Sequence, residues 1–360
     1  MDVVIACDVM IDLEGGIRPA VYLAYELVKR GCDVLMISPM MSHEVEEQLH
    51  KFGITTMNLN FKLFSKHLGY SFLWFELWSR EAFFRLNSKS VGYLPITINF
   101  SHTLALPSEY WYIQGPTSVA LKDGEKELIG VYKFGYKILE SIINWMDERL
   151  VMDSGKRSLY VIANSRFCAS IYHKWGINVK DVIYPPIDCD VFQPETSNPS
   201  SDYVLTYFGK ETEFSVVKAI ADLGIKVKAF GAKSPFIPKT LINHPDVDFL
   251  GKVTTEKLVS LYSNALFTLF TFTHEPFGYV PAESMACGTP VLTYNRQGPS
   301  ESVINGYSGW LMEDSKKLIH KALFLWKNGY NSHMRSNCVK AASKFSKEHY
   351  IKKWVEILGK

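Results

Sequence analysis

Apolar residues follow two rhythms along these 360 residues. Short unbroken apolar runs bounded by Gly, Pro, Asn or Ser read as strands buried on both faces. In the first half these are Val3–Cys7, Asp33–Ser38, Ile54–Leu59, Leu94–Phe100, Tyr110–Gln114 and Tyr160–Asn164. In the second half they are Tyr203–Phe208, Lys226–Phe230, Val247–Leu250, a run beginning at Phe267, and Pro290–Tyr294. Between them, apolar positions three and four apart read as helices. Ile17, Ala20, Val21, Ala24, Leu27 and Val28 make one such face, opened by Gly15-Gly16 and ended by Gly31. Further helices are expected over His43–Phe52, Leu128–Leu150, Val216–Leu223 and Thr255–Ser263, and through Ser315–Lys360. Ser165 is placed to N-cap the helix after Asn164. Buried strands alternating with helices predict an α/β architecture with parallel sheets.

Candidate chemistry concentrates in Phe267–Tyr294. An apolar strand leads into a loop with Glu275, Pro276, Phe277 and Gly278; a helix follows over Val280–Cys287. Gly288 stands where a helix C-cap wants positive φ, and Pro290 stops continuation. The helix start offers unpaired N–H groups and a positive dipole end, which attract phosphate. Gly278, having no Cβ, lets the backbone approach a ligand. Glu275 and Glu283 place a carboxylate on either side of that anion-binding turn. This suits a ligand with hydroxyls at both ends and phosphates between, as in a nucleotide sugar. The plainer reading makes Glu275 a solvated loop charge and Glu283 an exposed helix residue.

The run Glu275-Pro-Phe-Gly-x4-Glu283-Ser-Met-Ala-Cys-Gly-Thr-Pro-Val resembles the E-x7-E signature of retaining GT-B glycosyltransferases of the GT4 type. The resemblance extends to Gly15-Gly16, to Val-Ile-Ala-Asn-Ser-Arg-Phe ahead of Tyr-Pro-Pro-Ile-Asp, and to Phe345-Ser-x-Glu-x-Tyr350 ahead of Trp354. It implies a GT-B fold: two Rossmann-like parallel-sheet domains facing a central cleft. The domains would be 1–190, an acceptor domain with a helix of about 341–360 packing back on it, and 203–340, a nucleotide-sugar donor domain, joined by a linker over 191–202. The implied activity moves a sugar from a UDP- or GDP-linked donor to a glycan or lipid-linked acceptor, with retention and without a metal or other required cofactor.

By the same resemblance, Glu283 binds ribose hydroxyls, and Glu275 with the amides around Phe277 and Gly278 holds sugar and diphosphate, Tyr279 lying in the same turn. Gly209 and Lys210 follow the first strand of the second domain, where relatives grip the diphosphate with Gly-Arg and then a Lys about five positions on. Here Phe214 and Ser215 stand at the Lys place, and Lys218 is further along. Gly231 falls where relatives meet base or ribose; Gly15 and Gly16 fall where amides face the diphosphate. His102 is the preferred sugar contact of the first domain, with Gln114 competing; Arg18 and Glu301 are also candidates. Asp188-Cys189-Asp190 mimics a metal motif but follows two prolines and reads as linker geometry.

Composition narrows the field. The 39 Lys and Arg nearly balance 37 Asp and Glu, so no nucleic-acid footprint is present. Six cysteines without a Cys-x-x-Cys pair favour buried thiols in a reducing, cytoplasmic compartment. The absence of Gly-x-Gly-x-x-Gly argues against a nicotinamide oxidoreductase. Two further alternatives keep the fold: a sugar-nucleotide epimerase, or a catalytically weak nucleotide-sugar-binding protein. Residues 61–87 interleave aromatics, including Trp74 and Trp78, with Lys62, Lys66, Arg80 and Arg85. Such a stretch is either an aromatic core helix or a peripheral contact with a membrane face.

Overall fold

The computed structural model describes the chain except residues 1, 68–69, 93, 126–129, 197–198, 233–236 and 360, and except the side chains of 66, 67, 70, 71, 131 and 132. Two compact units emerge. One comprises Met1–Lys122, Leu128–Pro186 and Tyr350–Lys360; the other comprises Asp123–Glu127 and Ile187–His349.

Among the described residues, the amino-terminal unit is built on seven parallel strands: β1 (Val3–Ala6), β2 (Val34–Ser38), β3 (Thr55–Asn58), β4 (Ile96–Asn99), β5 (Ser108–Ile113), β6 (Ser158–Ala163) and β7 (Val179–Val182). Their order is β3-β2-β1-β4-β5-β6-β7. β1 and β2 are wholly buried, which explains their unbroken apolar runs. The helix Arg18–Lys29 buries Ala20, Val21, Leu23, Ala24 and Leu27, matching the expected face. The helix Lys347–Leu358 contributes Tyr350, Ile351 and Trp354 to the core beneath β1, β4 and β5. Trp354 is fully buried beside Phe100 and Tyr112, and the Tyr350 hydroxyl donates to Pro19 O at 2.8 Å.

Among the described residues, the carboxy-terminal unit carries six parallel strands: β8 (Val204–Tyr207), β9 (Val227–Phe230), β10 (Val247–Gly251), β11 (Thr268–Phe270), β12 (Val291–Tyr294) and β13 (Gly309–Met312). Their order is β10-β9-β8-β11-β12-β13. In each sheet the winding direction reverses once, between β1 and β4 and between β8 and β11. Such a switch point leaves a crevice at the carboxyl ends of the strands, where open α/β sheets bind ligands.

Several local expectations are met. Gly288 has φ +76° after the helix Tyr279–Ala286, and Ser165 accepts a hydrogen bond from Cys168 N. The helix expected from Leu128 begins outside the described residues and is described over Gly130–Arg157, about two turns past its expected end. Part of the expected linker, 197–198, also lies outside them. The aromatic stretch is core at some positions and exposed at others. Trp78 is 1% exposed and packs with Ala82, Tyr136 and Met146, whereas Phe75 and Phe83 face solvent. Asp188 and Asp190 both accept from Lys347 Nζ, at 3.0 and 2.6 Å. The same place is laced by Ile187 N donating to Phe345 O and Lys347 N to Ile187 O.

Candidate active site

The loops after β8, β11 and β12 build the carboxy-terminal site. β11 ends at Phe270, and the chain turns through Thr271–Gly278 into the helix Tyr279–Ala286. Gly278, the helix N-cap, has φ +93°, and a Cβ there would crowd Pro281 and Pro299. The turn is held from the next loop: Glu275 N donates to Gln297 Oε1 at 2.6 Å, and Gly298 N donates to Glu275 O at 3.0 Å. The Glu275 carboxylate folds onto its own turn, accepting from Phe277 N at 3.3 Å and Gly278 N at 3.0 Å. The carboxyl thereby lies at the helix start, where these two amides donate to it.

Glu283 is 4% exposed, and the buried Tyr262 hydroxyl donates to its Oε2 at 3.4 Å. It is therefore an enclosed acceptor and not a surface helix charge. Gly231, after β9, has φ +139°, and a Cβ there would stand 2.3 Å from Phe208 O. Only glycine allows the loops after β8 and β9 to pass so closely. Gly209 and the exposed Lys210 follow β8, with Gly209 N donating to Thr212 Oγ1 at 2.9 Å.

Three groups here were not foreseen from sequence. Glu211 adjoins Lys210, and its carbonyl accepts from Thr273 N at 2.7 Å, stitching the β8 loop to the segment that carries Glu275. Burial pushes the Glu275 carboxyl up to about 8, and Glu211 adds to the rise against Lys210 and the two turn amides. Burial likewise raises Glu211, with Lys210 and His274 opposing. Tyr207 is raised by burial and then by Glu211, Glu275 and Glu283, so three carboxylates bear on one phenol. Arg296 is locked in place: it donates to Glu213 Oε1 at 3.1 Å and Phe272 O at 2.6 Å, and lies over the Tyr294 ring. Lys218 is also committed, pairing with Asp222 at 2.8 Å on the exposed side of its helix.

The remaining expected residues gather at the other switch point, in the amino-terminal unit. Gly15 and Gly16 open the short helical turn ahead of Arg18–Lys29. Gln114 Nε2 donates to Gly16 O at 2.9 Å, so Gln114 supports that turn. Arg18 pairs with Glu14 at 2.8 Å. His102 lies in the loop after β4, which Asp8 organises: the Asp8 carboxylate accepts from Thr103 N at 2.9 Å, from His102 N at 3.0 Å, and from the Ser101 hydroxyl. Burial lowers the His102 imidazole, with Asp8 opposing, so the ring is neutral at pH 7. Asp8 escaped the sequence reading because its partners lie more than 90 positions away.

Residues 237–345, which span the whole turn from Glu275 to Gly288, match the family model described as glycosyl transferases group 1. The chain is 30% identical over 156 residues to D-inositol 3-phosphate glycosyltransferase of Mycolicibacterium smegmatis, covering 37% of this chain and 36% of that one. It is 37% identical over 84 residues to alpha-1,3/1,6-mannosyltransferase of Neurospora crassa, covering 23% and 18%. The matched stretches thus span well under two thirds of these relatives. Solved structures share the architecture along the whole length. Anabaena HepE bound to UDP superposes with TM-score 0.70 at 17% identity, covering 99% of both chains. WaaG superposes with TM-score 0.68 at 14% identity, again covering 99% of both. The fold is GT-B, and the residues that match the group 1 model make up most of its carboxy-terminal unit.

Proposed function

We propose that this chain is a retaining glycosyltransferase that moves a sugar from a UDP- or GDP-linked donor to a glycan or lipid-linked acceptor. The observation that carries the reading is the Glu275–Glu283 turn, set at the carboxyl end of β11 beside a switch point and lying inside the group 1 match. HepE has been solved with UDP and with UDP-glucose, and the curated relatives include mannosyltransferases. In this reading Glu283 takes the ribose hydroxyls, and Glu275, braced by the Phe277 and Gly278 amides that donate to it, takes the sugar. Gly209, Gly231 and Tyr279 border the nucleotide. Lys210 stabilises the charge that grows on the leaving diphosphate. His102, a neutral imidazole, offers hydrogen bonds to sugar hydroxyls, and Gly15 and Gly16 offer amides to phosphate.

The amino-terminal unit is assigned to the acceptor. Its helices Tyr70–Phe84 and Gly130–Arg157 carry an exposed apolar face: Phe75 and Phe83 from one, Phe134, Ile138, Ile142 and Trp145 from the other. Phe83 and Trp145 stand 5.3 Å apart, so the two stripes are continuous. Lys133 and Lys137 flank the second stripe, and Arg149 lies 5.3 Å over Trp145. Apolar stripes edged with Lys and Arg suit peripheral contact with an anionic membrane surface on its cytoplasmic side. No described helix is long and apolar enough to cross a membrane.

Thermal shift against UDP-, GDP- and ADP-sugars tests the donor reading; stabilisation by none of them would end it. Co-sedimentation with anionic vesicles, lost in a Phe83→Asp/Ile138→Asp variant, tests the membrane face. Trp78 is unsuited to that test because it is core. One observation favours a sugar-nucleotide epimerase as the second reading: Glu211 supplies an additional acid beside Glu275. Conversion of donor to its epimer without acceptor would establish it.

A further inference from the structure

We propose that Gln297 is a positioning residue for the transferred sugar: its side-chain amide holds Glu275 in place, and its strained backbone is kept for that purpose. The inference rests on the donor reading above, in which Glu275 takes the sugar, and adds a residue which that reading does not contain.

Arg296, Gln297 and Gly298 follow β12 and lie along the segment that follows β11, the two strands being paired from Thr268–Val291 to Phe270–Thr293. Each of the three grips that segment. Arg296 Nη2 donates to Phe272 O at 2.6 Å, Gln297 Nε2 to Thr273 O at 3.4 Å, and Gly298 N to Glu275 O at 3.0 Å. In the other direction, Glu275 N donates to Gln297 Oε1 at 2.6 Å. A backbone N–H only donates, so the Gln297 oxygen faces it and the amide nitrogen faces away. There Nε2 donates to Asp123 Oδ2 at 3.1 Å, the oxygen that also accepts from His274 Nδ1 at 2.8 Å. Asp123 groups with the carboxy-terminal unit. Both ends of the amide are thus held, and one of them holds the residue that carries the carboxylate.

The backbone points the same way. Gln297 has φ +55°, in the left-handed region, where a Cβ is strained and glycine is at ease. Such strain persists where the surroundings over-determine it, and it gathers at sites that handle ligands. Here the surroundings are the side-chain bonds above and Ser300 Oγ, which donates to Gln297 O at 2.7 Å. Glycine would make the same bend without strain but would bring no acceptor to Glu275 N.

Losing the amide should therefore have a selective effect. The Glu275 carboxyl accepts from Phe277 N and Gly278 N, which anchor it to the helix start. Gln297 anchors the other end of the residue. Without that second anchor Glu275 pivots about the first, and contact with the sugar suffers. Contact with the nucleoside, assigned to Glu283, does not.

Titration calorimetry of the full chain with UDP, UDP-glucose, GDP and GDP-mannose tests this. Gln297→Gly relaxes the backbone and removes the amide. It should weaken the nucleotide sugar that binds by about tenfold and leave its nucleoside diphosphate within about twofold. Its melting temperature should stay within ~3 °C of the unsubstituted protein. Gln297→Asn tolerates the same φ but falls one methylene short of Glu275 N, so it should show the same split less steeply. In a Glu275→Ala background, Gln297→Gly should cost less than about twofold more, because its effect passes through Glu275. Equal weakening of sugar-linked and sugar-free nucleotide, a full further loss in the Glu275→Ala background, or unchanged affinities in both Gln297 variants would overturn the proposal and leave the donor reading standing. So would melting lowered by more than ~10 °C in both variants, the mark of a purely structural prop. If Glu275→Ala binds the nucleotide sugar as tightly as the unsubstituted protein, or if the unsubstituted protein binds none of the four ligands, the donor reading itself falls.

Discussion

The two switch points share one topology and use their carboxylates in opposite ways. In the amino-terminal unit Asp8 is enclosed by donors from the loop after β4: two backbone amides and the hydroxyls of Ser101 and Thr103. Oδ1 accepts from the Ser101 and Thr103 hydroxyls and Thr103 N, and Oδ2 from His102 N. In the carboxy-terminal unit Glu275 takes two amides from its own turn, and Glu211 and Glu283 crowd the same phenol. Buried charge that is satisfied stabilises a loop; buried charge left crowded costs stability and is kept where chemistry needs it. Asp8 thus shapes a loop, and Glu275 is the residue to which the proposed function gives chemistry.

Substitutions separate the two roles. The largest effect is expected from Asp8→Ala, which strands several buried donors: a loss of about 4 kcal/mol, seen as a melting temperature lower by roughly 10 °C. An unchanged melting curve would show that Asp8 is not the organiser of its loop. Glu275→Ala should do the reverse, cutting turnover about a hundredfold while the melting temperature moves by less than ~3 °C. Equal losses of activity and stability would erase the contrast. Glu283→Gln weakens one charged acceptor and should raise the donor KM roughly tenfold with kcat little changed.

A pH series sharpens the contrast further. The Glu275 carboxyl is raised from 4.5 to about 8, so the folded chain binds more protons there than the unfolded chain between those values. Stability must then fall as pH rises through that window. Glu275→Gln should melt within error of the wild type near pH 4 and a few degrees above it at pH 8. The smallest effect belongs to Lys347→Met. Its ion pairs with Asp188 and Asp190 are partly exposed and should be worth about 0.5–1 kcal/mol, a shift of roughly 2 °C.

Much of the fold was readable because burial on both faces writes itself as unbroken apolar runs. Val34–Ser38 and Val227–Phe230 fall within a residue of their expected bounds. β13 was not read: Gly309-Trp310-Leu311-Met312 is short, opens on glycine and lies at the sheet edge beside β12. The helix Thr117–Gly124 was missed too, since only Ser118 of it is fully buried and no apolar stripe marks it. The helix Gly130–Arg157 hides its length differently, for it is apolar toward both core and solvent and so has no single face. At the site, Glu275 and Glu283 were visible through a local motif with fixed spacing. Glu211 was hidden behind an expectation of positive charge at its neighbours, and only the β8–β11 pairing brings it near Glu275. Lys218 could not be judged from spacing, because its partner Asp222 lies on the same helical face one turn on.

The returning helix Lys347–Leu358 has a consequence for the order of events on the ribosome. Trp354 plugs the core of the amino-terminal unit, yet it is synthesised after every residue of the carboxy-terminal one. A nascent chain therefore holds the first-made half open at its aromatic centre while the later-made half already possesses all of its strands. The unit begun first is the unit finished last, and its exposed interior is what a chaperone would meet.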